Sequence, residues 1–246
     1  MKWRPRRSKC WDAHLHLGSS RDGGVLTLPE VQRAMDEYEI ERAVLFAIDE
    51  EKPGISFQNT NDKVLKTKSQ EKRLIAFTRL DPRFGSKAIT ELKRCVRLGA
   101  RGVKLHPRSE KFSPSQAEDI ITEAESQRLP VCLHTSHEGN CRPSQWEPIF
   151  KRHKRIPFIL FHAGKDAYEE AVTAAKRYRH LWLETSTLSY FRTGVILKKL
   201  GASRVVFGSD LPYSHPAVER LKLDLLLNAR DQRKVFVENL KRILGE

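Results

Sequence analysis

The stretch WDAHLHLG, residues 11–18, sets His14 and His16 two positions apart, directly after Asp12. In a strand, side chains at i and i+2 share one face about 7 Å apart, so two imidazoles there can converge on a single metal ion. Nine histidines in a chain of 246 residues supply about 0.3 such pairs by chance, so the pair alone decides little. It has company. His106, His134 and His162 each close a short apolar run, and Asp210 closes another. Imidazoles and a carboxylate suit a divalent ion, and a carboxylate beside such an ion can serve as general base.

Eight apolar, β-rich runs must position these groups. They are DAHLHL at 12–17, AVLFAI at 43–48, LIAFTRL at 74–80, GVKLH at 102–106, VCLH at 131–134, FILFH at 158–162, LWLET at 181–185 and VVFGSD at 205–210. Near-continuous apolarity marks parallel strands covered on both faces. Helical patterns fill the intervals. TLPEVQRAMDEYEI opens on Thr27 with an early Pro and sets Val31 and Met35 on one side. FGSKAITELKRCVRLGA repeats Ile89, Leu92 and Val96 and stops at Gly99. SPSQAEDIITEAESQ offers Ser113 or Ser115 as a cap. Eight strand-then-helix units close most simply into a (β/α)8 TIM barrel, an α/β fold. No glycine-rich phosphate fingerprint follows a strand, which disfavours an open doubly wound sheet. With no linker in view, residues 1–246 are expected to form one domain, residues 1–9 being a basic N-terminal extension.

In such a barrel the chemistry sits at the C-terminal ends of the strands. His14 and His16 end the first strand, His106 the fourth, His134 the fifth, His162 the sixth and Asp210 the eighth. A lone histidine at a strand end is more often a structural hydrogen-bonding residue, but five strands supplying such groups to one mouth reverse those odds. His153 and His180 fall in helical or connecting stretches and are expected at the surface.

Taken in order, DAHLHLG, GVKLHP, LPVCLHTS, FILFHAG and RVVFGSDLPY resemble the amidohydrolase superfamily. The nearest likeness is to its amidohydrolase-related (amidohydrolase 2) branch of metal-dependent TIM-barrel hydrolases, lactonases, hydratases and decarboxylases. The resemblance implies that His14, His16, His134 and Asp210 bind or flank one divalent metal ion, with His162 as the catalytic histidine. Zinc suits this donor set, and so do manganese and iron. Asp210 would then take a proton from water and return it to the leaving group, while His162 orients the nucleophile or stabilises an oxyanion. Lys104 shares a strand face with His106. Binuclear members of the superfamily use a carboxylated lysine as a bridge, but this branch is mostly mononuclear, so Lys104 is read as a substrate contact or a charge-paired lysine. Lys104, His106, Arg79 and Arg108 are the candidate substrate contacts, and the arginines suit an anionic group. Arg142, which follows the fifth strand, could hold the same group, and His137 and Tyr213 stand just past strand ends. The chain is short for this branch, so lid loops are expected to be absent and the pocket open or completed by a second subunit in a homo-oligomer.

Composition bounds the rest. The chain is 39% hydrophobic and 31% charged, as a globular protein is. The formal charge of +14 admits nucleic acid or anionic small molecules. Its cations recur in KSQEKR, KRHKR, AAKRYRH and ARDQRK, which read as exposed helix, so a solvated basic surface is expected and a nucleic-acid partner is not. A nuclease resembling the TatD family would carry glutamate where Lys104 stands and ETD in place of GSD. No apolar stretch is long enough to span a membrane, and MKWRPRRSKC is not followed by a signal-type apolar region, so a cytoplasmic location is expected. Cys10, Cys95, Cys132 and Cys141 read as reduced, mostly buried thiols. The leading expectation is a hydrolase acting on a small amide, lactone or ester. The rivals are a non-oxidative decarboxylase or hydratase on the same scaffold, and a basic binding protein without catalysis.

Overall fold

The apolar runs become parallel strands because both of their faces find cover, and their order in the computed structural model, which describes residues 8–246, follows the chain. The strands are β1 (Cys10–Ser19), β2 (Val25–Leu26), β3 (Ile40–Ala47), β4 (Leu74–Ala76), β5 (Thr78–Arg79), β6 (Val103–Leu105), β7 (Val131–His134), β8 (Phe158–Phe161), β9 (Leu181–Glu184) and β10 (Val205–Val206). Among the described residues only β2 is antiparallel, a short flap on the end of β1. The run at 74–80 is a single barrel strand in two pieces. It hands over from β3 to β6 at Phe77, whose N–H donates to Leu45 O at 2.9 Å, while Thr78 N–H donates to Gly102 O at 2.9 Å. The ring closes between β10 and β1, where Ala13 N donates to Phe207 O at 3.0 Å and Asp210 N to His14 O at 2.8 Å. The result is a closed (β/α)8 TIM barrel. The eighth run is shorter as a strand than its sequence suggests, because beyond Val206 the backbone bonds to β1 and, at Phe207, to Val235 O instead of to β9. Residues 1–7, most of the basic extension at 1–9, lie outside the described residues.

Helices cover the outside: α1 (Leu28–Glu37), α2 (Gln58–Gln70), α3 (Ser86–Arg97), α4 (Pro107–Glu110), α5 (Glu118–Ser126), α6 (Glu147–Arg152), α7 (Tyr168–Arg177), α8 (Tyr190–Leu200), α9 (Pro216–Leu226), α10 (Ala229–Arg233) and α11 (Asn239–Leu244). Helix α1 starts where its sequence says it should. Glu30 reaches back to the Thr27 N–H at 2.8 Å, and Val31 and Met35 turn inward. Two apolar cores result. The outer one, including Leu15, Leu45 and Val103, lies between strands and helices. The inner one fills the barrel with Trp11, Phe46, Phe77, Phe161 and Trp182, and Leu240 and Ile243 of α11 pack into it.

All four cysteines are buried and free. Among the described residues, no helix is long and apolar enough to cross a membrane. One expectation fails outright. His153 is buried, not a surface residue, because its two ring nitrogens meet carboxylates, Nε2 at 2.8 Å from Glu118 Oε1 and Nδ1 at 3.1 Å from Glu125 Oε2. His180 is half-buried as well.

Candidate metal centre

The His14–His16 pair owes its direction to a bulge. Along β1, Asp12 pairs with Ala43 and Leu15 with Leu45, so β1 carries one extra residue between them. Trp11 and Ala13 face the barrel interior before the bulge. After it the phase is reversed: His14 and His16 meet the inner Phe46, while Leu15 and Leu17 join the outer core. Asp12 holds the bulge in place. Its Oδ1 accepts the N–H of His14 at 2.8 Å and of Ser209 at 3.0 Å, tying the first strand to the last. Complete burial pushes this carboxyl up to about 7, against the pull of those hydrogen bonds.

The two histidines meet Asp210 at the barrel mouth. Asp210 Oδ1 lies 3.0 Å from His14 Nε2 and 2.9 Å from His16 Nε2. Among the described residues, His14, His162 and Asp210 place their ligand atoms within 4.8 Å of one another, and all three are buried. His134 stands beside them, its ring 4.8 Å from that of His162 and stacked at 3.8 Å on His106. The backbone is left-handed at both His162 (φ 61°) and Asp210 (φ 55°), a conformation that non-glycine residues adopt at a cost.

Glu184 belongs to this centre although no motif marks it. It is the one charged residue of the seventh run and stands at its end, the only signal the sequence offers. Fully buried, it accepts from His14 Nδ1 at 3.0 Å, from Ser186 Oγ at 2.9 Å and from the His162 N–H at 3.3 Å. With its proton directed at Glu184, His14 turns the lone pair of Nε2 toward Asp210. Two lone pairs 3.0 Å apart need a proton or a cation between them. Gly208 makes room for Glu184 and not for a ligand, since a Cβ there would sit 2.8 Å from Glu184 Cδ.

Charge follows geometry. Burial drives His16 down to about 3 and His162 down to about 4, and holds His106 and His134 well below the ordinary histidine range. Burial opposes charge at His14 too, but Asp210 and Glu184 outweigh it and raise its pKa. Burial also penalises the Asp210 carboxylate, yet His14 and His162 keep it well below the usual range. Neutral imidazoles at His16, His134 and His162 beside an ionised carboxylate are what a divalent ion requires of its ligands, and His14 would give up its proton to join them. His134 Nε2 is buried without a hydrogen-bond partner among the described residues, and His14 Nε2 has only the Asp210 oxygen beside it. Both nitrogens fit a metal ion.

The centre lies in a cavity of about 510 Å³. Lys104 is buried in its wall without a hydrogen-bond partner, Nζ 4.0 Å from the Phe161 ring and 4.8 Å from that of Phe46, and burial lowers its pKa to about 7. His106 Nδ1 accepts the Ser109 N–H at 3.2 Å, so in the neutral ring Nε2 carries the proton. Arg79 also lines the cavity, but its charge is met by Glu110 at 2.6 Å. Arg108 sits at the rim, 3.3 Å from Glu138. Tyr213 is there too, its hydroxyl 2.8 Å from Ser20 Oγ. Arg142 and His137 do not line the cavity. They pair with Glu170 and with Asp166.

Known structures of this shape are numerous. An uncharacterized TIM-barrel protein of Bordetella bronchiseptica superposes with a TM-score of 0.80 at 16% identity, covering 97% of this chain and 99% of that one. A dihydroxybenzoic acid decarboxylase of Polaromonas, solved with manganese and 2-nitroresorcinol, gives 0.75 at 16% identity, covering 96% and 97%. An amidohydrolase of Burkholderia multivorans with bound zinc gives 0.74 at 12% identity, covering 97% and 99%. Identities this low speak for the fold alone. No curated protein matches the sequence. The sequence does match the amidohydrolase family over residues 11–245, nearly its whole length, and the chain belongs to that family.

Proposed function

We propose that the protein is a metal-dependent enzyme that hydrolyses a small, anionic amide, lactone or ester. The observation that carries this reading is Asp210, an ionised carboxylate shared between His14 and His16 in a cavity whose other histidines burial keeps neutral. His14, His16, His162 and Asp210, with His134 beside them, would hold one divalent ion, zinc or manganese. When bound, such an ion acidifies water and polarises a carbonyl. Asp210 is placed to take a proton from water and return it to the leaving group. Ser186 and Thr187 engage His162 Nδ1, which leaves its Nε2 toward the cavity. His106 offers an Nε2–H to a substrate oxygen, and Lys104, which makes no ion pair among the described residues, is available to a substrate anion.

That uncompensated lysine also favours a second reading, loss of CO2 from a carboxylate-bearing substrate, the reaction named for the Polaromonas protein. Elemental analysis of protein purified without chelators should find about one metal equivalent per chain. Two tightly bound equivalents would make Lys104 a bridging ligand instead. Turnover of small lactones, amides and hydroxybenzoates in ¹⁸O-water then separates the reactions. Label in the organic product supports hydrolysis, and CO2 release with an unlabelled organic product overturns it in favour of decarboxylation.

A further inference from the structure

In a parallel barrel every strand begins at the same face, and here that face gathers the basic residues. A Lys or Arg stands within the three residues before each barrel strand except β3. KSQEKR, KRHKR and AAKRYRH, dispersed along the sequence, all end there, before β4, β8 and β9. Cations near helix C-termini complement the helix dipole, but these extend past the helix ends into the turns. The acids of the same turns are already engaged, Glu71 by Arg73, Glu125 by His153 and Arg155, and Glu246 by Arg101. Lys72, Arg128, Lys154 and Arg179 are exposed and make no ion pair among the described residues.

The charge is shaped as well as concentrated. Lys151, Lys154, Arg177, Arg179 and His180 line a recess of about 600 Å³ with no acidic residue in its wall. Glu147 meets Arg177 at 3.2 Å, and His180 Nε2 is buried without a hydrogen-bond partner. A second recess, of about 390 Å³, is lined by Arg42, Lys68, Lys72 and Arg101.

We propose that the strand-entry face is a docking surface for the phosphate backbone of a nucleic acid. Two separated basic recesses on one face suit a polymer of regularly spaced phosphates. A peripheral membrane surface would add apolar side chains for insertion. Of the large exposed apolar residues, Tyr190 and Phe191 open α8 at the other end, and this face offers only Leu98 in an entry turn and Leu225 in the last turn of α9 among the described residues. The catalytic cavity opens at the opposite end of the barrel, so docking leaves it free. The surface therefore serves to localise the enzyme and does not present the polymer for cleavage.

The test is fluorescence anisotropy of a labelled DNA duplex of about 24 base pairs with the full chain at about 150 mM salt, repeated across salt concentrations. The triple variant Lys151→Glu, Lys154→Glu, Arg179→Glu should weaken binding at least about tenfold. The slope of log affinity against log salt should also flatten by about 0.9 for each phosphate that the variant no longer neutralises. The double variant Lys68→Glu, Lys72→Glu, at the other recess, should act in the same direction, so misfolding of one set, seen by circular dichroism, leaves the other decisive. Lys52→Glu, Lys87→Glu and Lys111→Glu together make the same charge change away from this face and should cost less than about threefold. Equal losses from the two triple variants would reduce the effect to net charge and overturn the proposal. No binding by the parent chain would overturn it too, as would tighter binding to phosphatidylserine vesicles than to the duplex at equal salt.

Discussion

In the proposed mechanism Asp210 joins two demands that usually conflict, ligation and proton transfer. Its left-handed backbone and its two imidazole neighbours keep the carboxylate ionised and pointed into the cavity. Asp210→Asn preserves shape and one donor oxygen but cannot accept a proton. Metal content should stay near the parent level while turnover falls by about 10² to 10⁴. Near-full activity on an identified substrate would remove Asp210 from the chemistry. Glu184 governs His14 in another way. The pKa of His14 is raised above the ordinary 6.5, and a metal takes the neutral ring, so metal affinity should begin to fall as pH drops through that raised range. His16 and His162, at about 3 and about 4, add no competition until the solution is far more acidic. Glu184→Gln removes one of the charges that raise His14, so the onset of metal loss should move to lower pH. Affinity at about pH 8 should still drop by about 10- to 100-fold, because the ring loses its orientation. Chelator competition across pH reads both effects, and an unmoved onset would show that Glu184 does not act through His14.

Two elements carry more than their sequence announces. In β1, one extra residue reverses the inward face between Ala13 and His14, so a strand that begins as barrel core ends in the histidines of the candidate metal centre. Between α5 and the end of α6, His153 holds Glu118 and Glu125 from its buried position. Replacing it with Ala would strand both carboxylates near a cavity. We expect His153→Ala to lose about 1–3 kcal/mol in urea unfolding while metal content is unchanged. An unfolding midpoint identical to the parent's would mean that the two carboxylates are satisfied by Arg152 and Arg155 alone.

At the scale of the whole molecule, the centre draws on β1, β8 and the segment after β10, with Glu184 from β9, so an ion bound there ties the first strand to the last three. Metal at about one hundred times its dissociation constant should add about 2.7 kcal/mol, or about 5–10 °C in Tm for a chain of this size. Calorimetry of the chelated and reloaded protein measures this, and equal Tm values would place the ion outside the folded framework. The barrel also divides charge between its ends. The cavity lining mixes Arg79, Lys104, Arg108 and Lys165 with Asp22, Asp49 and Asp210, whereas the recess at Lys151, Lys154 and Arg179 on the opposite face carries cations and no acid.

Eight apolar runs with helical intervals were enough to read the barrel, because burial on both faces writes itself as uninterrupted apolarity. The histidines and Asp210 were legible as groups at strand ends because a parallel barrel sends every strand end to one mouth. Glu184 was not, since a carboxylate that only orients a neighbour needs no motif, merely a partner that lies 170 positions away in sequence. His153 was misplaced for the same reason, its two carboxylates lying on another helix. The grouping of His14 with His162 and Asp210, the reversal of phase in β1 and the gathering of cations at one face are products of closure. Local periodicity records which side of an element is apolar. Only the tertiary structure decides which polar side chains from distant strands come within reach of one another, because that depends on register and on where the ring is joined.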